Sequence, residues 1–397
     1  MALRPCKVLI VGGGIAGLAL ALMLENNAVD YVLLEAYPKI VTDVGAGICM
    51  MPNGLRILDQ LGCYEDLLSH TQTSVTDISW RDLEGKVLGS VDGSVLNERY
   101  GYHALCMDRQ GLLATLYGRI SDKSKLLTQK RVATVEHAES CVEVTTTDGS
   151  IYRGDILVGA DGTHSCIRQE MTRLARNLRI QDDYNDEPPA TYSCVFGVST
   201  GIPGIAPGCL DFVVNHQSSY VIGSGPENRT YWFLMSNMGK TFYGADIPRL
   251  DNKELDALAQ KHWNDHITPD VRFSDLYKNR MSTIYTPMRE CVDRKWHLNR
   301  VMLIGDAVHK SHGGFIATIL VGCTINDRAA QHLSEGPGSP RPEIVPVDGD
   351  GPFSAANGRY GDPGTQRYCF EQVLKIITGS NRAMGHDLSP GGLVENA

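Results

Sequence analysis

Gly12, Gly14 and Gly17 form a G-x-G-x-x-G, and an acid, Glu35, closes the apolar run that follows. Glycines at this spacing suit the handling of phosphate. Gly12 permits a tight strand-to-helix turn, Gly14 lets the backbone approach a pyrophosphate, and Gly17 lets helix and strand pack closely. The start of the helix adds unsatisfied N–H groups and a positive dipole end, both of which attract anions. Glu35 is then placed to accept hydrogen bonds from a ribose. That chemistry is the binding of a dinucleotide. It requires Val8-Leu9-Ile10-Val11 to be a buried parallel strand, Leu18 to Leu24 to be a helix, and Tyr31 to Leu34 to be a second strand ending on the acid. The glycine triplet alone is a weak signal; the full strand–turn–helix–strand–acid unit makes it specific.

Two further strand ends carry acids. Ile156-Leu157-Val158 runs into Gly159-Ala160-Asp161-Gly162, and Val301 to Ile304 runs into Gly305-Asp306-Ala307. Ligands of open α/β sheets bind at the carboxyl ends of strands, although the first piece by itself reads as an ordinary Asp-Gly turn. His309 and His312 read as loop histidines with local hydrogen bonds. His262 and His266 stand four apart, the spacing of a helical zinc pair. Trp263 occupies the place where a zinc hydrolase carries Glu, and no third ligand is evident. The pair reads as a solvated helix face, and no metal is expected.

The elements that must position these residues follow in order. A helix is expected over Leu55 to Leu61, stopping at Gly62, and a hairpin over Thr76–Arg81 and Lys86–Val91. A helix from Gly111 to Ile120 follows Cys106 to Gln110. Strands are expected at Thr134–Glu136 and Cys141–Thr146, with a tight turn at Asp148-Gly149. Between Tyr192 and Phe242 the segments Ser193–Val198, Phe212–Val214, Tyr220–Ile222 and Thr230–Met235 predict an antiparallel sheet suited to covering a substrate pocket. Asp251 to Asp265 reads as an exposed helix with Leu255, Leu258 and Ala259 inward. Ser334 to Pro363 is dense in Gly and Pro, as in a linker or disordered stretch, and only Tyr368 to Ile377 looks helical after it.

The 397 residues suffice for one large or two ordinary domains. A net charge of −9 without a basic run argues against nucleic acid or an anionic membrane as partner. The eleven cysteines include no C-x-x-C pair, so reduced thiols in a cytosolic protein are expected rather than a disulfide framework. The chain enters its first strand almost at once, so no signal peptide is expected. Its apolar runs fall short of the ~18 residues a membrane helix needs. The expectation is a cytoplasmic protein, at most peripheral to an internal membrane.

The three strand-end motifs, in this order, resemble those of the FAD-dependent aromatic hydroxylase-like monooxygenases, the group that includes para-hydroxybenzoate hydroxylase. VLIVGGGIAGLALALMLE, PNGLRILDQLGCYEDL, YWFLMSNMGKTFYGADIPR and MLIGDAVHK are closer still to fungal monooxygenases of terpenoid and meroterpenoid pathways, many of them epoxidases. The similarity runs from about Lys7 to Lys310. It implies an α/β fold: a Rossmann-like FAD-binding domain over 1–75, 101–185 and 285–333, with an antiparallel β-sheet substrate domain over 76–100 and 186–284. It also implies that Gly12, Gly14 and Gly17 hold the FAD pyrophosphate and Glu35 the adenosine ribose. Gly45 to Gly47 would line the cofactor, and Arg109 would contact it from a helix start. Asp161, with Gly162, would support the pyrophosphate region and a passing nicotinamide cofactor, and Asp306, after Gly305, would bind the ribityl chain. NADPH would reduce the flavin and O2 would supply the oxygen given to a hydrophobic substrate, so no protein nucleophile is needed. Tyr220 is the candidate pocket residue on the substrate sheet, against the plainer reading of a packed aromatic.

Two stretches depart from the resemblance. Relatives follow the Gly-Asp motif with a proline and a small-residue loop, because a Cβ would intrude on the flavin ring. Here Ser311 to Gly322 reads SHGGFIATILVG, and a familiar acidic helix start resumes only at Ile325 to Ala330. The substantial helical region expected after it is missing from 334–397, so that region reads as truncated. A degenerate or non-redox protein of the same scaffold, binding a terpenoid or guiding its cyclisation, is the alternative. Oligomeric state is left open.

Overall fold

The run Val8-Leu9-Ile10 has no solvent exposure, as expected of a strand covered on both faces. In the computed structural model, which describes residues 7–42, 46–71, 73–180, 187–215, 217–293 and 295–310, this strand is Lys7–Val11, inside a six-stranded sheet. The sheet order is His297–Leu298, Val301–Leu303, Ile156–Gly159, Lys7–Val11, Asp30–Leu34, Leu126–Leu127. All neighbours are parallel except His297–Leu298 with Val301–Leu303. From Lys7–Val11 the chain passes through helix Ile15–Asn26 to Asp30–Leu34 on one side, and much later places Ile156–Gly159 on the other. That reversal of strand order opens a crevice at the carboxyl end of Lys7–Val11, where an open α/β sheet receives its ligand. Helix Ile15–Asn26 buries every residue from Gly17 to Leu24. Being apolar all round, it must be enclosed, and it lies between the sheet and helix Arg109–Arg119.

A seven-stranded sheet forms the second body of the fold. Its order is Arg280–Arg289, Ala190–Thr200, Arg229–Phe242, Ser218–Ser224, Cys209–Val214, Asp77–Arg81, Val87–Asp92. It is antiparallel apart from the parallel pair Cys209–Val214 with Asp77–Arg81. Side chains alternate between the faces of a strand, and here both faces are apolar. Trp232, Leu234, Tyr220 and Ile222 pack with Leu255 and Phe273 of helices Asn252–Lys261 and Phe273–Lys278. Tyr231, Met235, Val221 and Phe212 pack the other way, with Cys49 and Cys106. Those two cysteines are opposite one another in the antiparallel pair Gly47–Met50 and Leu105–Asp108, which joins the sheet to the parallel-sheet half. A third, antiparallel sheet joins Val132–His137, Val142–Thr146 and Ile151–Gly154, with Gly149 left-handed in its turn (φ +82°).

The expected helices and hairpin are present with shifted ends: Pro52–Gln60, Arg109–Arg119, and Asp77–Arg81 with Val87–Asp92. The helix expected to reach Asp265 stops at Lys261, with Leu255 and Ala259 buried and Leu258 partly so. His262 closes that helix and His266 bridges to Arg272, so the two histidines share no helical face. Strand Arg280–Arg289 carries the second sheet past the expected boundary at 284. The described residues all fall in the unit Met1–Ile325; the other unit is Asn326–Ala397. The loop at Ser311 to Gly322, the resumed helix start at Ile325 and the tail at 334–397 lie outside the described residues. Among the described residues no helix is long and apolar enough to cross a membrane, and no group of three or more His, Cys, Asp or Glu could hold a metal.

Candidate cofactor and substrate site

Backbone contact, rather than side chains, shapes the first loop. Gly12 is left-handed (φ +107°), and a Cβ there would come within 2.4 Å of the Ala160 carbonyl oxygen. A Cβ on Gly17 would lie 1.9 Å from the Gly12 carbonyl oxygen. Gly14 differs, because nothing stands within 4 Å of its missing Cβ. It begins helix Ile15–Asn26 with no capping side chain and no acid in the first turn. The helix therefore presents its first N–H groups to open, Cβ-free space, an anion site. Glu35, buried at the end of Asp30–Leu34, accepts the Gly13 N–H at 2.6 Å through Oε2 and the Tyr37 N–H at 2.8 Å through Oε1. These bonds fix the carboxylate and leave lone pairs for hydroxyl donors. An adenosine diphosphate group fits this cradle.

Asp161 organises the backbone around it. Its carboxylate accepts the Ser165 hydroxyl (2.6 Å) and the N–H groups of Cys166 (2.7 Å) and Ile167 (3.1 Å). It thus caps helix Cys166–Asn177, where Ser165 Oγ also accepts the Arg168 N–H at 2.9 Å. Arg168 is buried and donates from Nη1 to the Ala307 carbonyl (2.7 Å) and from Nη2 to the Thr163 carbonyl (2.8 Å). One guanidinium therefore ties the Asp161-Gly162 loop to the Gly305–Ala307 turn. Gly162 (φ +76°) and Gly305 (φ +62°) supply the left-handed bends of these loops. Asp306 is exposed and pairs with Lys310 at 2.9 Å. Burial lowers the Arg109 guanidinium from its usual range, and the nearby Asp306 carboxylate pulls it back up. The Arg109 N–H meets the Ala46 carbonyl at 3.1 Å. The turn at Gly12, the loops at Asp161 and Asp306, and Arg109 are thus brought to one end of the six-stranded sheet. Gly45 lies outside the described residues. Gly47 has a local reason to be glycine: a Cβ would sit 2.1 Å from Tyr231 Cγ.

Tyr220 takes the plainer of its two readings and is a packed aromatic, not a pocket residue. It is 1% exposed, on the sheet face that packs beneath helices Asn252–Lys261 and Phe273–Lys278. Its hydroxyl donates to Asp265 Oδ2 at 2.7 Å, the oxygen that His262 Nδ1 also meets at 2.7 Å. Burial and the Asp265 charge push its phenol far above the usual range. It is a core residue of the far face. The face turned toward Gly47 carries Phe196 and Phe233 instead, directly paired across two strands. Their rings pack edge to face at 5.3 Å and remain partly open. Sequence reading missed them; their shared parity with Tyr231, the neighbour of Gly47, is the signal that marks their face.

Comparison with known proteins bears on the fold and the family. A family model described as an FAD binding domain matches residues 5–176. The FAD-dependent monooxygenase andE of Emericella variicolor is 35% identical over 352 residues, covering 85% of this chain and 73% of that protein. The FAD-dependent monooxygenase esdpE of Penicillium shearii is 35% identical over 314 residues, 78% of this chain and 65% of that protein. For anuJ of Penicillium roqueforti, identity is 37% over 326 residues, 78% and 39%. The chain thus spans less than two thirds of the length of the latter two. Among solved structures, 2,6-dihydroxypyridine-3-hydroxylase from Arthrobacter nicotinovorans superposes with a TM-score of 0.60 at 22% identity, covering 77% of this chain and 78% of that one. Klebsiella pneumoniae HpxO complexed with FAD and uric acid gives 0.58 at 23%, covering 77% and 74%. The fold is shared with both, and by the extent of its likeness to the Emericella variicolor protein this chain belongs to the family of FAD-dependent monooxygenases.

Proposed function

We propose that this chain binds FAD and, with NADPH as reductant and O2 as oxygen source, epoxidises or hydroxylates a hydrophobic terpenoid or meroterpenoid intermediate of secondary-metabolite biosynthesis in the cytoplasm. The observation that carries the proposal is the gathering of three glycine–acid loops at one end of the parallel sheet, two of them tied by Arg168. Gly12, Gly14, Gly17 and the start of helix Ile15–Asn26 bind the pyrophosphate, and Glu35 binds the adenosine ribose. Asp306, steadied by Lys310 and facing Arg109, accepts the hydroxyls of the ribityl chain. Asp161 and Gly162 act indirectly, by fixing a helix start and a bend. When bound, the flavin supplies the electron and oxygen-transfer chemistry. The protein orients substrate and excludes water, a task suited to the apolar wall at Phe196 and Phe233. Arg289 and Lys310 lie close enough to His164 to depress its pKa, after burial itself, and supply positive charge for the phosphates of a visiting nicotinamide cofactor.

FAD titration of Glu35→Ala and Asp306→Ala followed by flavin fluorescence tests the assignment. Weakened binding in both supports it, and unchanged occupancy in both would refute these roles.

A further inference from the structure

Two buried polar atoms of opposite charge lie unmatched beside the Gly305–Ala307 turn. Among the described residues, neither Arg168 Nε nor Asp293 Oδ2 has a hydrogen-bond partner. Such atoms are costly to bury and call for a reason. Both residues also hold the exit of the turn. Arg168 Nη1 donates to the Ala307 carbonyl at 2.7 Å, and the Asp293 N–H donates to the Val308 carbonyl at 3.0 Å. Asp293 is anchored in turn, since its own carbonyl accepts the Trp296 indole N–H at 2.7 Å.

We propose that Asp293 is a positioning residue for the cofactor turn, acting through Arg168 to fix the guanidinium that holds Ala307 and so the grip of the turn on FAD. This rests on the reading of Asp306 as an FAD contact. Burial pushes the Asp293 carboxyl up to about 6, against the pull of Arg168, so its charge changes well above the ordinary carboxylate range. Among the described residues, the charged or titratable groups near this cluster include Asp306 in the turn itself with its partner Lys310, His164, which feels Arg289, Lys310 and Arg168, and His309, whose ring lies 6.3 Å from Trp296. Above pH 6 the carboxylate orients Arg168 and FAD is held; below it the grip weakens. Fold stability moves the other way. A carboxyl whose folded pKa exceeds its unfolded value favours the fold at low pH, and that contribution is lost as pH rises through 6. A residue with only a packing role would not produce opposite trends.

The test follows FAD affinity by flavin fluorescence, and thermal unfolding of the flavin-free protein, from pH 5 to 8. The wild type is expected to bind FAD about three- to fourfold more weakly at pH 5.5 than at 7.5, the most that linkage allows for one carboxyl titrating near 6. Asp293→Asn should give a flat, weaker profile together with a raised unfolding temperature at pH 7.5, and His309→Gln should keep the inflection. An inflection that survives in Asp293→Asn, or vanishes in His309→Gln, overturns the assignment. Should Asp293→Asn not fold, infrared titration of the wild-type carboxyl decides. Bound FAD must lower its midpoint by linkage, and an unmoved midpoint overturns the proposal. A wild type that binds no FAD at pH 7.5 fails the cofactor reading itself, and this inference with it.

Discussion

Glu35 shows how much one side chain can be asked to do. Two backbone N–H groups aim its carboxylate before any ligand arrives, so Glu35→Ala removes a prepared acceptor rather than a mobile one. Loss of a hydrogen bond to a charged group costs about 1.5–3 kcal/mol, and a roughly ten- to hundredfold weaker FAD affinity is expected by fluorescence titration. Gly17→Ala acts on the scaffold. Its new methyl would meet a backbone oxygen at 1.9 Å, so helix and strand must separate, and a loss of about 1–3 kcal/mol is expected in denaturant unfolding. Tyr220→Phe should leave substrate-dependent NADPH oxidation unchanged while costing about 1 kcal/mol of stability, in keeping with its bond to Asp265. Glu35 was legible because spacing along one short unit fixes where it must lie. Tyr220 was not, because parity on a strand shows the core face only when the other face is polar, and here Trp232 and Tyr231 are both buried.

At the scale of elements, the parallel sheet was readable and the jobs of its loops less so. Runs such as Leu9-Ile10-Val11 and Leu157-Val158 announce strands buried on both faces. What Asp161 does depends on the helix after it, whose first N–H groups take Oδ2 while the Ser165 hydroxyl takes Oδ1. Removal of a cap costs about 0.5–2 kcal/mol. Asp161→Ala is expected at the upper end, since the carboxylate serves a hydroxyl and two N–H groups, and Ser165→Ala is expected to cost less. Thermal unfolding ranks the two, and equal losses would argue that Asp161 is not the main cap. The tie made by Arg168 was equally hidden: no spacing rule joins Arg168 to Ala307, because that contact exists only once Val301–Leu303 lies beside Ile156–Gly159.

At the largest scale, the described residues set a nucleotide-binding sheet against an apolar one, joined through Gly47–Met50 and Leu105–Asp108. The resemblance carried by three motifs reached this architecture from sequence because each motif marks a strand end, and strand ends of one parallel sheet share an edge. The wall at Phe196 and Phe233 belongs to that larger scale. Phe233→Ala should raise KM for an apolar substrate several-fold at unchanged FAD affinity, measured by steady-state NADPH oxidation. The central claim is that these loops seat a working flavin, and the absorption spectrum of the purified protein, before and after NADPH in air, tests it most directly. A yellow protein whose flavin bleaches and then recovers is the predicted result. A colourless protein that added FAD cannot reconstitute would contradict it.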